Sequence, residues 1–349
     1  MPDAPRLLSL ATAIPRHVLA QADVCDWAAE LFGRSREDLS RLLPAFENAG
    51  IETRYSCVPL DWYAKPHGWS ERNALYLEHA TGLAKDAAVE ALDRAGLKAT
   101  DVDAVVAVST SGIATPSIDA RLVNTMGLRS DVTRLPVFGL GCAGGVLGLG
   151  RAAALAQARP GSRVLLVVVE LCGLTFRRGD TSKSNIIATA LFGDGGAAAL
   201  ISTDGDGPAL SDWGEHTWPD TLDVMGWSLE DDGFGVLFSR DIPNLVEQQF
   251  KDAAVTYLER AGLQPDDFSG FVCHPGGAKV VAALERVFGL ADGGLEDARA
   301  VLKDYGNMSA ATVMFVLDRV LQRGRPEGRQ LVSALGPGFT AGFATLDAA

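Results

Sequence analysis

Cys142, His274 and Asn307 are the residues of this 349-residue chain whose types and settings could do chemistry together. Cys142 lies in LPVFGLGCAGGVLGLGRAAALA, where an apolar strand runs into Gly-Cys-Ala-Gly-Gly and a helix of small residues follows. That pattern predicts a thiol at a helix N-terminus, where the dipole and free N–H groups favour the thiolate. Its small neighbours leave room for a bulky thioester. His274 closes an apolar strand in GFVCHPGG, before a Pro-Gly-Gly turn. Of the other histidines, His17 and His67 fall in polar loops, His79 on a helix surface and His216 in a Trp-rich loop. Asn307 lies in DYGNMSAATVMFVL, where Asn after Gly is by itself only a good helix cap. A histidine beside a cysteine can hold an imidazolium–thiolate pair, a nucleophile at neutral pH. Asparagine offers a neutral N–H donor and no base, which suits a developing thioester enolate. A Cys–His–Asn set without a metal motif or a nucleotide loop fits acyl transfer followed by decarboxylative carbon–carbon bond formation.

The elements that must position these residues come from an internal duplication. ALDRAGLKATDVDAVV (91–106) is similar to YLERAGLQPDDFSGFV (257–272), with Gly96 matched to Gly262 at an offset of 166 (262 − 96). The same offset aligns GSRVLLVVVE (161–170) with the segment containing Arg329, and lays GCAGGVLGLGRAAALA on NMSAATVMFVLDRVLQ. Under it Cys142 maps to Met308, one residue from Asn307, so Cys142 and Asn307 are expected to open equivalent helices. Two homologous halves follow, 1–204 and 205–349. Each reads helix, Gly stop, strand, then strand, helix, strand. Over 243–261, Val246, Phe250, Ala253 and Tyr257 share one helical face, and Gly262 ends the helix. The runs AVVAV and VLLVVV are continuously apolar, as strands covered on both faces are. The expectation is a layered α/β fold with a pseudo-twofold axis, one shared core, and a site where the halves meet.

Bulk properties narrow the class. A net charge of −13 argues against nucleic acid as a partner. No apolar run reaches the roughly 18–20 residues a membrane span needs, and the N-terminus lacks a signal-peptide pattern, so a cytoplasmic enzyme is expected. Five cysteines with no C-x-x-C pair argue against both a disulfide framework and a structural zinc site, so no metal is expected. Cys25, Cys57 and Cys273 read as small buried hydrophobes. Papain-type proteases also use Cys, His and Asn, and the Cys142–His274 separation of 132 residues (274 − 142) is near theirs. The residues that surround a papain cysteine are absent, and duplicated α/β halves disagree with that fold.

GCAGG around Cys142, HPGG after His274, GNMSAA around Asn307, ALFGDG (190–195) and ALGPGFTAG (334–342) together resemble the thiolase-fold condensing enzymes, and within them the chalcone synthase-like type III polyketide synthases of bacteria. The resemblance covers nearly the whole chain. It implies an αβαβα layered thiolase-like fold, a homodimer, CoA thioester substrates and no cofactor. It implies that Phe192 and Phe238 flank the catalytic entrance, that Gly336, Pro337 and Gly338 shape a cyclisation cavity, and that Ser309 lines it. TSGIATP (110–116), VELCGLTF (169–176) and WYAKPHGWSERNALYL (62–77) resemble the long-chain alkylpyrone and alkylresorcinol synthases. There Thr110, Ala114, Thr115, Cys172 and Thr175 would border an acyl tunnel. Plant relatives carry several basic residues for CoA phosphates near FENAGIETRY (46–55); here only Arg54 stands in that stretch, with Arg41 upstream, so an acyl carrier protein is a second possible starter donor. The reading is a synthase that loads a medium- or long-chain acyl starter on Cys142, extends it with malonyl-CoA and cyclises it to an alkylpyrone or alkylresorcinol. The alternatives are a ketoacyl synthase III-like enzyme making one condensation, and a relative kept as an interaction subunit, against which the intact Cys–His–Asn set argues.

Overall fold

The computed structural model describes residues 4–33, 43–239, 241–324 and 328–348; Arg41 lies outside them. The strands are β1 (Arg6–Ala13), β2 (His17–Ala20), β3 (Thr53–Ser56), β4 (Ala104–Val108), β5 (Thr133–Val137), β6 (Val164–Leu171), β7 (Asp194–Ser202), β8 (Ala209–Thr217), β9 (Met225–Glu230), β10 (Gly233–Phe238), β11 (Phe268–Cys273), β12 (Arg329–Gly336) and β13 (Thr340–Asp347). The helices are α1 (Gln21–Phe32), α2 (Trp69–Arg94), α3 (Ile118–Met126), α4 (Gly144–Ala158), α5 (Lys183–Leu191), α6 (Ile242–Leu245), α7 (Lys251–Ala261), α8 (Ala278–Val287), α9 (Glu296–Tyr305) and α10 (Thr312–Gln322).

Nine strands form a mixed sheet in the order β11-β12-β13-β8-β1-β7-β6-β4-β5. The two halves of that sheet join weakly: β1 and β8 register at one pair, Arg6 with Ala209. Strand β6 shows why the layers stack. Its alternate side chains Leu165, Val167 and Val169 pack toward α2, while Val164, Leu166 and Val168 pack in the cluster with α4. Helices α4 and α10 lie between the half-sheets, α2 covers the N-terminal half from outside, and α7 packs on β8 and β13. The αβαβα layering expected from the family resemblance is therefore present. One core cluster runs from Leu7 and Val106 through to Phe250 and Leu331, so the halves share an interior. At the offset of 166, β4, α4 and β6 fall on β11, α10 and β12. Among the described residues no helix is long and apolar enough to cross a membrane.

Local differences from the sequence reading have physical causes. The helix expected over 243–261 carries a π turn at Val246–Phe250 between α6 and α7, and ends at Gly262 in the left-handed region (φ +70°). Val246, Phe250, Ala253 and Tyr257 are buried as expected; the wide turn accommodates Phe250, whose ring packs against Phe288 and Phe343. His17 and His216 lie on β2 and β8 rather than in loops. β2 is only four residues long and β8 exposes the polar residues Ser211, Glu215 and Thr217, so neither forms a long apolar run.

The two central helices cross so closely that glycine is required. A Cβ on Gly145 would stand 2.4 Å from the Ala310 carbonyl oxygen and 2.7 Å from Val313 Cγ1. Gly145→Val should therefore cost about 1–3 kcal/mol through overpacking, read as a lower urea midpoint at an unchanged m-value. Stability equal to the parent's would contradict this crossing.

Candidate active site

Each of the three chemistry-bearing residues sits just before a helix: Cys142 and His274 follow strands, and Asn307 lies between α9 and the turn into α10. After β5 the chain makes a 3₁₀ turn, Gly141–Ala143, and enters α4, which places Cys142 at that helix's start. Gly141 has φ +45°, and a Cβ there would meet Pro337 Cδ at 2.5 Å. A Cβ on Gly336 would meet the Leu140 carbonyl at 2.5 Å. The Gly336-Pro337-Gly338 turn is thus packed directly against the turn carrying Cys142, and only glycine fits at the contact points. His274 follows β11, pinned by its N–H to the Ser333 carbonyl at 2.9 Å. Asn307 is held by backbone on both sides: its N–H donates to the Leu191 carbonyl (2.8 Å), and its carbonyl accepts from Gly193 (3.0 Å).

Cys142, His274 and Asn307 all line one cavity of about 510 Å³, together with Phe238, Leu191 and Met225. Cys142 Sγ lies 3.6 Å from Ser309 Oγ. Ser309 reaches that position through a left-handed backbone (φ +48°), a conformation that costs of order 1–3 kcal/mol in a non-glycine residue. Its N–H donates to Asn307 Oδ1 at 2.8 Å, and Asn307 Nδ2 donates to the Gly276 carbonyl at 3.2 Å. The asparagine carbonyl is thereby occupied, which fixes the amide and leaves its other N–H for Cys142, whose titration it lowers. Both ring nitrogens of His274 are buried without a partner.

Burial dominates the electrostatics. It pushes the Cys142 thiol up to about 11, with the Ser309 hydroxyl opposing and buried Glu170 reinforcing the rise. It pulls His274 down to about 3. Neither group gains charge alone in this dry setting. Charge is favoured only when the proton passes from thiol to imidazole and each ion solvates the other. The imidazolium–thiolate expected at neutral pH therefore depends on the pair and on the helix N-terminus, not on the thiol's surroundings alone. Cys57, Cys172 and Cys273 are also pushed up by burial, and none of them lines this cavity. Among the described residues no cluster of His, Cys, Asp or Glu could hold a metal ion.

The structure sorts the other expected residues. Phe192, Phe238, Ser309 and Pro337 gather with Cys142 around a small inner chamber of about 30 Å³. Gly336 and Gly338 frame the turn that carries Pro337 into it. Thr110 supports the cysteine turn, its Oγ1 accepting from the Gly141 N–H at 3.2 Å. Cys172 and Thr175 border a separate pocket of about 50 Å³. Ala114 is half-buried and Thr115 exposed, and in the single chain neither borders any of these spaces. The assignment of Arg54 to CoA is corrected outright. Arg54 is 3% exposed and donates to the carbonyls of Thr189 (2.6 Å), Ala190 (2.7 Å) and Phe192 (3.0 Å), and to Gln21 Oε1. It satisfies the unpaired carbonyls at the end of α5 and so positions Phe192. It has no donor left facing a phosphate in solvent.

Three residues escaped the sequence reading. Glu170 lies at the far end of the apolar strand β6, wholly buried, raised to about 7 by burial, and accepts from the Thr110 N–H at 3.0 Å. A lone carboxylate ending VLLVVVEL was the available signal. Lys183 and Lys279 are exposed on the rim of the 510 Å³ cavity, at the first turns of α5 and α8; Lys279 follows closely on HPGG.

Comparison with known proteins agrees with this geometry. The family model for the N-terminal domain of chalcone and stilbene synthases matches residues 3–205, and that for the C-terminal domain matches 214–346. A chalcone synthase-like protein of Bacillus subtilis (strain 168) is 39% identical over 96% of each chain. The 1,3,6,8-tetrahydroxynaphthalene synthase of Streptomyces peucetius subsp. caesius is 40% identical over 96% of this chain and 91% of its own. The crystal structure of the tetrahydroxynaphthalene synthase of Streptomyces coelicolor A3(2), a bacterial type III polyketide synthase, superposes with a TM-score of 0.94 at 29% identity, covering 98% of this chain and 99% of that one.

The proton path generates a prediction. With His274→Ala, the Cys142 thiol keeps the burial that pushes it up but loses its acceptor, and its titration should rise above the parent's. Iodoacetamide labelling of Cys142 at pH 7 should slow at least about tenfold, with the rate recovering only in the alkaline range. A labelling profile unchanged from the parent would show that His274 does not take the proton.

Proposed function

From the fact that the chain belongs to the chalcone and stilbene synthase family, the type III polyketide synthases, we propose that it loads a medium- or long-chain acyl starter on Cys142, extends it with malonyl-CoA and cyclises the product to an alkylpyrone or alkylresorcinol. As a family member it is an acyltransferase that condenses CoA thioesters with malonyl-CoA and needs no cofactor. The observation that carries the finer reading is the pocket at Cys172, whose Leu19, Val24, Trp27 and Phe176 offer an apolar bed beside Phe192. The same reading has the chain acting as a cytoplasmic homodimer, with its starter delivered by CoA or by an acyl carrier protein.

In the proposed mechanism, His274 takes the Cys142 proton and the thiolate attacks the starter thioester. The carbon–sulfur bond to CoA breaks and the acyl group stays on Cys142. Malonyl-CoA then enters, and its carbon–carboxylate bond breaks with release of carbon dioxide. The electron pair passes to an enolate whose oxygen accepts from Asn307 Nδ2 and His274. The enolate carbon attacks the acyl carbonyl, forms the new carbon–carbon bond and frees the Cys142 thiolate. Because burial disfavours any isolated charge here, two donors fixed in advance lower the cost of the developing oxyanion. At the rim, Lys183 and Lys279, each beside a helix N-terminus, take the CoA phosphates that Arg54 cannot reach.

A second reading has one specific support. The 30 Å³ chamber beside Cys142 suits short units, and the 40%-identical relative is named for tetrahydroxynaphthalene. Incubation with malonyl-CoA alone and with a panel of acyl-CoA starters separates the two by product mass. The proposal expects alkylpyrones or alkylresorcinols that carry the starter; tetrahydroxynaphthalene from malonyl-CoA alone, with no starter-dependent product, would replace it. Lys183→Glu with Lys279→Glu should raise KM for malonyl-CoA at least about tenfold with little change in kcat. An unchanged KM would remove the lysines from phosphate binding.

A further inference from the structure

Arg54 is a buried cation that the proposed mechanism does not use. It lies on β3, and burial pulls its guanidinium down to about 10, which leaves it charged at neutral pH. Each hydrogen of its two terminal nitrogens has an acceptor. Nη1 donates to the carbonyls of Thr189 (2.6 Å) and Phe192 (3.0 Å), and Nη2 to the carbonyl of Ala190 (2.7 Å) and to Gln21 Oε1. Gln21 is itself buried, and its Nε2 donates to the same Ala190 carbonyl at 3.1 Å. The fork therefore grips the last turn of α5 and the residue that follows it.

That same backbone holds Asn307. The Phe192 carbonyl and the Gly193 N–H belong to one planar peptide unit. Its carbonyl accepts from Arg54, and its N–H donates to the Asn307 carbonyl at 3.0 Å. One unit earlier, the Leu191 carbonyl accepts the Asn307 N–H at 2.8 Å. Rotating the Phe192–Gly193 peptide would break its bonds to Arg54 and to Asn307 together. The arginine stem packs in the same seam: a Cβ on Gly193, or on Gly306 just before Asn307, would stand 3.4 Å from Arg54 Cβ. On the other side, Thr53 Oγ1 donates to the Asp304 carbonyl at 2.7 Å, and the Glu52 N–H to the Lys303 carbonyl at 2.8 Å. Strand β3 thus ties the end of α5 to the end of α9, the two segments that meet at Asn307.

We propose that Arg54 is the positioning residue of Asn307, setting its amide for malonyl-CoA decarboxylation by clamping the 189–193 backbone on which the Asn307 peptide hangs. Cys142 and His274 are seated by other contacts, the Gly336-Pro337 turn and the Ser333 carbonyl, so formation of the thiolate is spared when the clamp is loosened. A lysine would keep the charge, but one nitrogen cannot serve four acceptors set out for a planar fork. The proposal rests on the reading that gives the enolate to Asn307, and not on the length of the starter.

The test reads two steps separately in the full chain: release of carbon dioxide from radiolabelled malonyl-CoA, and labelling of Cys142 by iodoacetamide at pH 7, which reports the thiolate. Arg54→Lys should lower kcat for decarboxylation at least about tenfold, with KM and the labelling rate each within about twofold of the parent. In an Asn307→Ala background the same substitution should cost less than about twofold, because the group it positions is gone. Gln21→Leu takes one acceptor from the fork, leaves Arg54 in place, and should show the same split with a loss of at least about threefold in kcat. It decides the question if Arg54→Lys does not fold, and a Gln21→Leu variant that decarboxylates as the parent does then overturns the proposal. Arg54→Lys that keeps full decarboxylation, that loses labelling as much as decarboxylation, or that adds its whole loss to that of Asn307→Ala overturns the proposal and leaves the enolate assignment standing. Asn307→Ala that itself decarboxylates like the parent overturns the assignment, and the proposal with it.

Discussion

The contact between the helix that opens at Cys142 and the helix that opens beside Asn307 is the constraint on which the rest of the molecule depends. Gly144 and Gly145 meet Ala310 with no space for a methyl group. That approach sets Cys142 Sγ against Ser309 Oγ and seats the Gly336-Pro337 turn on the cysteine turn. His274 comes from the neighbouring strand end of the C-terminal half, and Phe192 is tied to Asn307 by backbone. The half-sheets themselves register at a single residue pair, so the close helix crossing, rather than the sheet, holds the site's two contributors in place. Shape of this kind tolerates little substitution because the interior is already at crystal-like density.

The same burial that fixes the geometry governs the chemistry. A thiol pushed up to about 11 and an imidazole pulled down to about 3 are inert apart. Together, on the proposed mechanism, they exchange one proton and become each other's counter-ion. Glu170 beneath the cysteine turn acts in the opposite direction, and burial holds its carboxyl up to about 7, where much of it is protonated at neutral pH. On the proposed mechanism the charge in this apolar site is therefore confined to that one buried pair. That suits an enolate, whose charge is best stabilised by donors that need not reorganise.

Much of this was legible in the sequence because duplication makes position informative. Asn307 alone is an unremarkable cap; its place opposite Cys142 under the offset of 166 is what marked it. The apolar run of β6 announced a doubly covered strand. What escaped were contacts made across long stretches of chain. Arg54 reads as a surface cation beside acidic residues, yet its partners are carbonyls at 189–192, which no local pattern displays. The π turn in 246–250 depends on where the Phe250 ring packs. Thr115 and Ala114 carry small side chains suited to a channel, but their loop lies at the surface of the single chain.

The central claim is that the growing chain is carried by Cys142. Mass mapping of the enzyme after incubation with an acyl-CoA starter, in an Asn307→Ala background that should load but not condense, tests it most directly. The account predicts a single acyl adduct on the peptide containing Cys142. An adduct on the peptide of Cys172 or Cys273, with Cys142 left free, would contradict it.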